Sequence, residues 1–376
     1  MKTKIKILHT ADVHLGAAFA GLGARGTRQR QRLREVLNDV VETAVRESAQ
    51  LLFLAGDTFD NLRPSPESLQ AFQFLVRKTA SAGIPVVLIA GTHDHWAGNE
   101  IFPKLQHELG TALVVLSPEN PVWEHAGMGV RIQGASLVRQ DEPAHPLASL
   151  RRSADFSGWQ IGMAHAALDL GKAGTTEARF TPQEVAATGL DYLALGHWHG
   201  CLDCSQGTVT AWYPGSPEMI ALDEADSGKV LLVTLEEGKP VQVVPAQVGK
   251  RTWLRLEAEA PRAAQAVEQA KSQANPEAIL DLTLTGLASA EQALDLEALK
   301  TALAPDFFYV RIHDRTAVIC PPEELEKNPE TTVIGRFIRI LKAQIELADN
   351  VRRPDLEKAL QIGVAYLRGT EVRLWS

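Results

Sequence analysis

The feature that most limits how this chain can fold is a series of short apolar runs rich in Val, Ile and Leu. They are KIKIL (4–8), LLFLAG (51–56), PVVLIAG (85–91), ALVVL (112–116), VRIQGASL (130–137), QIGMAH (160–165) and YLALGH (192–197). Runs of this length are typical of sheet strands that are covered on both faces. Amphipathic helical patterns at 28–49 and 65–83 separate the first three runs, so the chain is predicted to form a layered α/β domain.

The pattern changes near residue 250, which indicates more than one domain. The chain has 376 residues, enough for two or three domains with sizeable cores. Strand-like segments at 252–259, 278–286 and 307–314 alternate with helix-like segments, and two amphipathic helical segments begin at about Thr331. We therefore predict a large α/β domain over 1–249, a small α+β domain over 250–325 and a C-terminal helical segment over 326–376.

Charge and composition exclude several classes of protein. The net charge is -8, so binding to nucleic acid would need local basic patches or the help of a partner. Three cysteines do not form a disulfide framework. The sequence has no run of 18 apolar residues and no N-terminal apolar leader. We expect a soluble protein of the cytoplasm that does not enter a membrane.

Polar side chains collect where the apolar runs end. They are Asp12 and His14 after the first run, Asp57 and Asp60 after the second, Thr92, His93 and Asp94 after the third, and His165, His197 and His199 at or after the last two. In open α/β sheets, ligands bind at the carboxyl ends of the strands. We therefore expect these residues, although distant in sequence, to meet in one cleft.

The chemistry of this set indicates a metal centre. Imidazole and carboxylate groups without thiolates favour ions such as manganese, iron or zinc over a structural zinc site. The set is large enough for two ions, and a carboxylate such as Asp57 can bridge a pair lying ~3.5–4 Å apart. Such a pair activates water for attack on a phosphate, and a histidine outside the metal ligands can protonate the leaving group.

Five motifs resemble those of a known family. DVH (12–14), GDTFD (56–60), GTHD (91–94), the single His165 and GHWH (196–199) follow the order and spacing of calcineurin-like metallophosphoesterases over about residues 4–245. The longer strings HTADVHLG, LAGDTFD, ALGHWH and YPGSPE are similar to those of SbcD-type DNA repair exonucleases, including the YhaO-like branch. The resemblance implies a sandwich of two mixed β-sheets flanked by helices, a small α+β cap domain and a C-terminal helical segment.

The resemblance also implies roles for individual residues. One metal would be held by Asp12, His14, Asp57 and His199, and the other by Asp57, His165, His197 and the residue at position 92. Asp57 would bridge the two ions. His93 would be the catalytic histidine without a metal, oriented by Asp94, and Asp60 stands where many relatives have a second active-site histidine.

Thr92 departs from the family pattern. The family has GNHD, in which the Asn amide oxygen ligates the second metal, whereas this chain has GTHD. A hydroxyl is a shorter and weaker ligand than an amide oxygen. We expect weaker binding of the second metal, with lower activity or a higher metal requirement.

The resemblance favours a DNA nuclease that uses two divalent ions, Mn²⁺ first, with Fe²⁺ and Zn²⁺ as alternatives. It implies action on DNA ends, as an exonuclease or endonuclease, by a homodimer. It also implies that the C-terminal helices dock on the coiled-coil base of an SbcC-type, SMC-like ATPase. Two alternatives stay open: a phosphodiesterase of small molecules such as cyclic nucleotides, and a DNA-binding scaffold with reduced catalysis, which only Thr92 suggests.

Several further features allow two interpretations. The arginine run at 25–34 could contact phosphates or form a solvated helix face. Cys201 and Cys204 have the spacing of a zinc or redox pair, but the chain offers only one further cysteine, so turn residues are favoured. We interpret the remaining histidines as packing, surface or loop residues; they are His9, His95, His107, His125, His145 and His313.

Overall fold

The structure is a computed structural model that describes residues 4–140, 145–169, 178–222, 224, 226–259, 263–288, 295–318 and 320–369. The chain forms two compact units, of which the first ends at Arg251 and the second begins at Thr252. The division into nuclease, cap and docking domains at residues 249 and 325 stays a prediction. In the described part of the chain, no helix combines the length and hydrophobicity that a membrane crossing requires.

The first unit begins with alternating strands and helices. They are β1 (Ile5–Thr10), α1 (Gly26–Arg46), β2 (Leu51–Ala55), α2 (Pro66–Ser81), β3 (Val86–Ile89), α3 (Ile101–Leu109) and β4 (Leu113–Val115). The remaining elements of the unit are strands and one further described α-helix. They are β5 (Val122–His125), β6 (Val130–Ala135), β7 (Trp159–His165), β8 (Ala167–Leu168), β9 (Arg179–Phe180), α4 (Pro182–Thr188), β10 (Tyr192–Gly196), β11 (Leu202–Asp203), β12 (Thr210–Tyr213), β13 (Lys229–Leu235) and β14 (Gln242–Gln247).

These strands form two six-stranded sheets. The first has the order β14-β13-β1-β2-β3-β4, in which β1 to β4 are parallel and β13 and β14 are antiparallel. The second has the order β11-β12-β10-β7-β6-β5, with antiparallel strands only at its two edges. Parallel strands therefore carry all the predicted site residues at their carboxyl ends.

The two sheets pack face to face around a shared apolar core. Phe53 and Val87 of the first sheet lie in the same buried cluster as Ile132 and Met163 of the second. Helices α1, α2 and α3 cover the outer face of the first sheet, and α4 packs on the outer face of the second. The predicted fold, an α/β sandwich of two mixed sheets flanked by helices, is confirmed.

The second unit has its own core. Its elements are β15 (Thr252–Glu259), α5 (Ala263–Ser272), β16 (Asn275–Thr285), β17 (Leu287–Ala288), α6 (Leu296–Leu303), β18 (Phe307–Asp314), β19 (Ala317–Val318), α7 (Pro322–Glu326), α8 (Val333–Leu347) and α9 (Arg353–Leu367). Strands β15, β16 and β18 form a parallel sheet, against which α5 and α6 bury Ala270 and Leu303. Helices α8 and α9 form a further layer around Ile338, Leu360 and Val364. The expected small α+β layer and C-terminal helices are both present.

Within the arginine run, Arg32 forms a buried ion pair, which neither interpretation of the run foresaw. Its Nε donates to Glu218 Oε2 at 2.9 Å, and its Nη2 donates to Asp39 Oδ2 at 2.5 Å. Glu218 belongs to the YPGSPE string, is fully buried, and accepts the Lys250 backbone N–H at 2.9 Å. This string therefore ties α1 to the end of the first unit, and its buried charge is structural.

Substitution Glu218→Ala should lower the free energy of unfolding of the first unit by about 2–3 kcal/mol, because Arg32 keeps Asp39 but loses Glu218, and the Lys250 backbone N–H loses its acceptor. The control is Glu35→Ala, whose carboxylate lies 3.7 Å from Arg32 but is half exposed, and which should cost at most about 1 kcal/mol. Urea unfolding measures both variants. Equal, small losses would show that Glu218 does not anchor α1.

Candidate metal centre

The predicted site residues converge at one edge of the first unit, where β1, β2, β3, β7 and β10 end. Three overlapping groups of His and Asp side chains have ligand atoms within 4.8 Å of one another. They are the His199 group (Asp12, His14 and His199), the His165 group (Asp12, Asp57 and His165) and the His93 group (His14, Asp60 and His93). Because the groups share members, they form one continuous cluster.

His165 ends β7 and is fully buried at the centre of the cluster. Its Nδ1 donates to the Ala55 carbonyl at 2.9 Å, which leaves Nε2 facing Asp57 Oδ2 at 3.2 Å and Asp12 Oδ1 at 4.0 Å. This Nε2 is buried and has no hydrogen-bond partner. Buried polar atoms are rarely left without a partner, so the orphaned nitrogen fits a ligand atom for a cation.

His14 has the same arrangement with a different partner. Its Nδ1 lies 3.1 Å from Asp60 Oδ1, and its Nε2 lies 3.6 Å from Asp57 Oδ2, buried and without a hydrogen bond. Asp60 was predicted to act in catalysis. In the structure its carboxylate lies behind His14 and fixes the direction in which the ring points.

His199 is held by a residue that the sequence patterns did not reveal. Its Nδ1 hydrogen-bonds Glu224 Oε1, and its Nε2 lies 4.0 Å from Asp12 Oδ1. Glu224 follows His199 by 25 positions in a segment without strand or helix periodicity. No sequence pattern connects the two residues, so only the fold could reveal this contact.

Two carboxylates, Asp12 and Asp57, lie between the histidines. Asp57 Oδ1 accepts the His93 backbone N–H at 2.8 Å, while its Oδ2 faces His14 and His165. Asp12 accepts the His197 backbone N–H on both oxygens, at 3.0 and 3.1 Å. Asp12 belongs to two of the three groups and Asp57 to one. The expected role of Asp57 as the carboxylate that bridges two ions stays a prediction.

His197 lies beside the cluster but outside its three groups. Its ring stands nearly perpendicular to that of His165, with the centroids 5.4 Å apart. Its backbone N–H holds Asp12, so residue 197 positions a carboxylate. The predicted role of the His197 ring as a second-metal ligand stays a prediction.

The backbone is strained at the cluster. Among the described residues, six non-glycine residues have positive φ, and four of them belong to the predicted site: Asp12 (53°), His14 (50°), Asp57 (48°) and His197 (105°). Such conformations cost about 1–3 kcal/mol each and concentrate at functional sites. This concentration supports a functional role for the cluster.

Glycines allow the strand ends to come this close. A Cβ on Gly91 would lie 2.3 Å from Asp57 Oδ1, and one on Gly56 would lie 2.3 Å from His165 Nδ1. A Cβ on Gly196 would meet the Ala55 carbonyl at 1.9 Å. No larger residue fits these positions without moving a site residue or separating the two sheets.

The electrostatics of the cluster favour positive charge. Burial acts to lower the pKa of His165, but Asp57 and Asp12 outweigh it and raise this pKa to about 10. Burial likewise opposes the rise in the pKa of His199 to about 9, which Glu224 and Asp12 cause. The pKa of Asp57 is lowered despite its burial, because His165 and His14 lie beside it. A site that attracts protons in this way suits divalent cations, which compete with protons for the same nitrogens.

The loop after β3 places His93 and Thr92 at the cluster. His93 Nδ1 lies 3.2 Å from the Asp60 carbonyl, which accepts its hydrogen bond. The Asp94 carboxylate instead accepts the backbone N–H groups of Gly91 (2.8 Å) and Phe59 (3.1 Å). The expectation that Asp94 orients the His93 ring is therefore replaced: Asp94 shapes the loop, and Asp60 holds the ring. Thr92 is half-buried and lies between Gly91 and His93, whose backbone N–H groups donate to Asp94 and Asp57, respectively.

The residues present fit a pair of divalent cations. The His199 group and the His165 group each offer carboxylate and imidazole atoms, and two of the imidazole nitrogens are buried without hydrogen bonds. A family profile described as "Calcineurin-like phosphoesterase" matches residues 5–201, more than half of the chain. The chain belongs to the calcineurin-like phosphoesterase family. Membership in it implies a dinuclear metal centre, and the cluster supplies suitable ligands.

Three relatives show how far the similarity extends. The uncharacterized metallophosphoesterase YhaO of Bacillus subtilis is 29% identical over 249 residues, covering 63% of this chain and 59% of YhaO. The DNA double-strand break repair protein Mre11 of Aeropyrum pernix is 28% identical, covering 67% of this chain and 63% of Mre11. The SbcD component of the nuclease SbcCD of Bacillus subtilis is 25% identical, covering 63% of this chain and 67% of SbcD. The chain thus spans less than two thirds of the length of YhaO and of this Mre11.

Other candidate residues lie outside the cluster. His9 is buried and hydrogen-bonds the Tyr192 hydroxyl at 2.8 Å, and burial lowers its pKa to about 3. In the part of the chain that the structure describes, no group of potential ligands contains a cysteine, and burial raises the pKa of Cys204 to about 12. Burial also raises the pKa of the Cys201 thiol. In the second unit, His313 pairs with Asp281 at 3.0 Å.

Substitution Gly91→Ala should weaken Mn²⁺ binding by about tenfold or more, because the new methyl group overlaps Asp57. The overlap displaces the carboxylate that faces both His14 and His165. Isothermal titration with Mn²⁺ measures the effect. Gly21→Ala is the control, since an added Cβ there has no neighbour within 4 Å. Unchanged binding in the Gly91 variant would mean that Asp57 does not hold a cation.

Proposed function

We propose that this phosphoesterase is a metal-dependent nuclease that hydrolyses the phosphodiester bonds of DNA in DNA repair. The observation that carries the proposal is the pair of buried nitrogens without hydrogen bonds, His14 Nε2 and His165 Nε2, which face the Asp57 carboxylate beside a half-exposed His93. Two relatives bear the names of a DNA double-strand break repair protein and of a nuclease component, and these names support DNA as the substrate.

The residues of the chain have separate tasks in this reaction. Asp12, His14, Asp57, His165 and His199 would hold the cations, with His197 and Thr92 as further predicted ligands. When bound, two divalent ions, for which Mn²⁺ is the preferred candidate, would supply Lewis-acid activation of the phosphate and would make a bound water more acidic. His93 is suited to protonate the leaving oxygen, because its Nδ1 is occupied by the Asp60 carbonyl while 42% of its side chain is exposed.

Position 92 distinguishes this chain from its family. Thr92 lies at the predicted second metal position, where a hydroxyl is a weaker ligand than an amide oxygen. We therefore propose a weaker second site and a requirement for more metal. If the site is weakened further, the chain acts as a DNA-binding scaffold, and the test below distinguishes that alternative from the nuclease.

Substitution His93→Ala should lower the turnover of single- and double-stranded oligonucleotides by about 10²–10⁴-fold, because the leaving oxygen loses its proton donor. Metal binding should be retained, since His93 is not among the proposed ligands. Thr92→Asn should raise the activity or lower the Mn²⁺ concentration needed for half-maximal rate. Gel-based cleavage over a Mn²⁺ series measures both variants.

The same assay separates the alternatives. Cleavage of a cyclic nucleotide with intact oligonucleotides would replace the nuclease by a small-molecule phosphodiesterase. Retardation of DNA in a gel without cleavage of either substrate would favour the scaffold. A His93→Ala variant that cleaves at the native rate would remove His93 from the reaction.

We further propose that helix α8 docks on the coiled coil of an SbcC-type, SMC-like ATPase and that the protein acts as a homodimer. Val333, Ile340 and Leu347 are 72%, 53% and 89% exposed, and they recur every seven residues on one side of α8. A seven-residue apolar repeat is the pattern by which one helix packs on another. The net charge of -8 also favours a dimer or a partner as a source of cations for DNA.

Substitutions Ile340→Asp and Leu347→Asp should abolish co-purification with the SbcC-type ATPase of the same organism while leaving Mn²⁺-dependent cleavage unchanged. The physical reason is the burial of an unpaired carboxylate in a helix–helix contact. Val244→Asp is the matched control, because Val244 is 55% exposed but lies on β14 in the first unit. Loss of the complex in the control as well would remove α8 as the docking site.

A further inference from the structure

The histidines of the metal centre are not held in equivalent ways. The Nδ1 atoms of His14 and His199 face the carboxylates of Asp60 and Glu224, respectively. The Nδ1 of His165 faces the neutral carbonyl of Ala55 instead. Both histidines of the His199 group are thus backed by negative charges, whereas the one histidine of the His165 group is not.

Glu224 is fixed in place by its own contacts. Its Oε2 accepts the Ile220 backbone N–H at 2.9 Å, while Oε1 contacts His199. Its carbonyl accepts the Ser227 hydroxyl at 2.9 Å, and only 11% of its side chain is exposed. A carboxylate held at both oxygens and largely withdrawn from water is suited to orient its partner.

Asp60 is fixed in a similar way. Its backbone N–H donates to the Leu15 carbonyl at 3.1 Å, and its own carbonyl accepts a hydrogen bond from His93. Its side chain is 29% exposed, so its charge is less screened than that of a surface carboxylate. Asp60 and Glu224 therefore support the His199 group from two separate elements, the end of β2 and the segment between β12 and β13.

Carboxylates in these positions strengthen metal ligands. A carboxylate on Nδ1 fixes the tautomer with the proton at Nδ1, aims Nε2 at the cation and raises its basicity. Each carboxylate also adds a negative charge near the cation, which a peptide carbonyl does not. In the His199 group, both histidines receive a fixed tautomer and a nearby negative charge. In the His165 group, the histidine receives only the fixed tautomer.

We propose that Asp60 and Glu224 are positioning residues that make the His199 group bind its divalent cation before, and more tightly than, the His165 group. Metal ions then enter this centre in a fixed order. The inference rests on the metal centre of the proposed function and is independent of the substrate, so it can fail while the nuclease proposal stands.

The test is a titration of the metal-free protein with Mn²⁺, followed by calorimetry and by the electron paramagnetic resonance of the free ion. The native protein should bind in two steps whose affinities differ by at least about tenfold. Glu224→Gln removes the charge and keeps the shape, and it should weaken the tighter step by about 10- to 100-fold while changing the looser step much less. Asp60→Asn should act in the same direction.

Asp226→Asn is the matched control, because Asp226 lies in the same segment but pairs with Lys229 on the surface. It should leave both steps unchanged. The proton on His199 Nδ1 provides a readout independent of metal: in the native protein its NMR signal should be protected from exchange by the hydrogen bond to Glu224, and this protection should be lost in Glu224→Ala. Circular dichroism checks that the variants are folded.

Two equal steps in the native protein, or a Glu224→Gln variant that weakens only the looser step, would overturn the ordered filling. An unchanged Nδ1–H signal in Glu224→Ala would remove Glu224 as a positioning residue. Nuclease assays of the same samples report separately on the proposed function: intact DNA with two ordered metal steps would reject the nuclease and keep this inference.

Discussion

The chemistry of this molecule depends on how closely its two sheets approach at one edge. Strands β2 and β10 end where the Ala55 carbonyl lies 1.9 Å from the point that a Cβ on Gly196 would occupy. The same carbonyl accepts the hydrogen bond of His165. One peptide group therefore sets the spacing of the sheets and the direction of the central histidine, and a side chain at position 196 would disturb both.

The close approach makes the site locally unfavourable. It concentrates buried carboxylates, imidazole nitrogens without hydrogen bonds and backbone with positive φ at the ends of five strands. The large apolar core between the sheets, directly behind these strand ends, offsets this cost. Departures from the usual backbone conformations and hydrogen bonding are expected at functional sites when the rest of the protein follows the usual preferences. The concentration of these features at one edge therefore supports a functional role for the cluster.

The sequence was sufficient for the fold class and for most of the cluster, because both follow from short-range patterns. Apolar runs define strands, parallel strands align their carboxyl ends, and Asp and His at those ends must then meet. Glu224 and the Arg32–Glu218 ion pair escaped this reasoning, because they join segments that no periodicity connects. Asp94 was assigned to the wrong neighbour for a related reason: adjacency to His93 in sequence says nothing about which backbone N–H groups its carboxylate will bind.

The backbone of the loop after β3 is held without help from the side chain at position 92. The N–H of Gly91 donates to Asp94 and that of His93 donates to Asp57, so backbone groups on both sides of Thr92 fix the loop. Neither bond uses the side chain at position 92. A substitution at position 92 therefore leaves the hydrogen bonds that place Asp57 and His93 intact. Position 92 differs in this respect from Gly91, where any side chain would collide with Asp57.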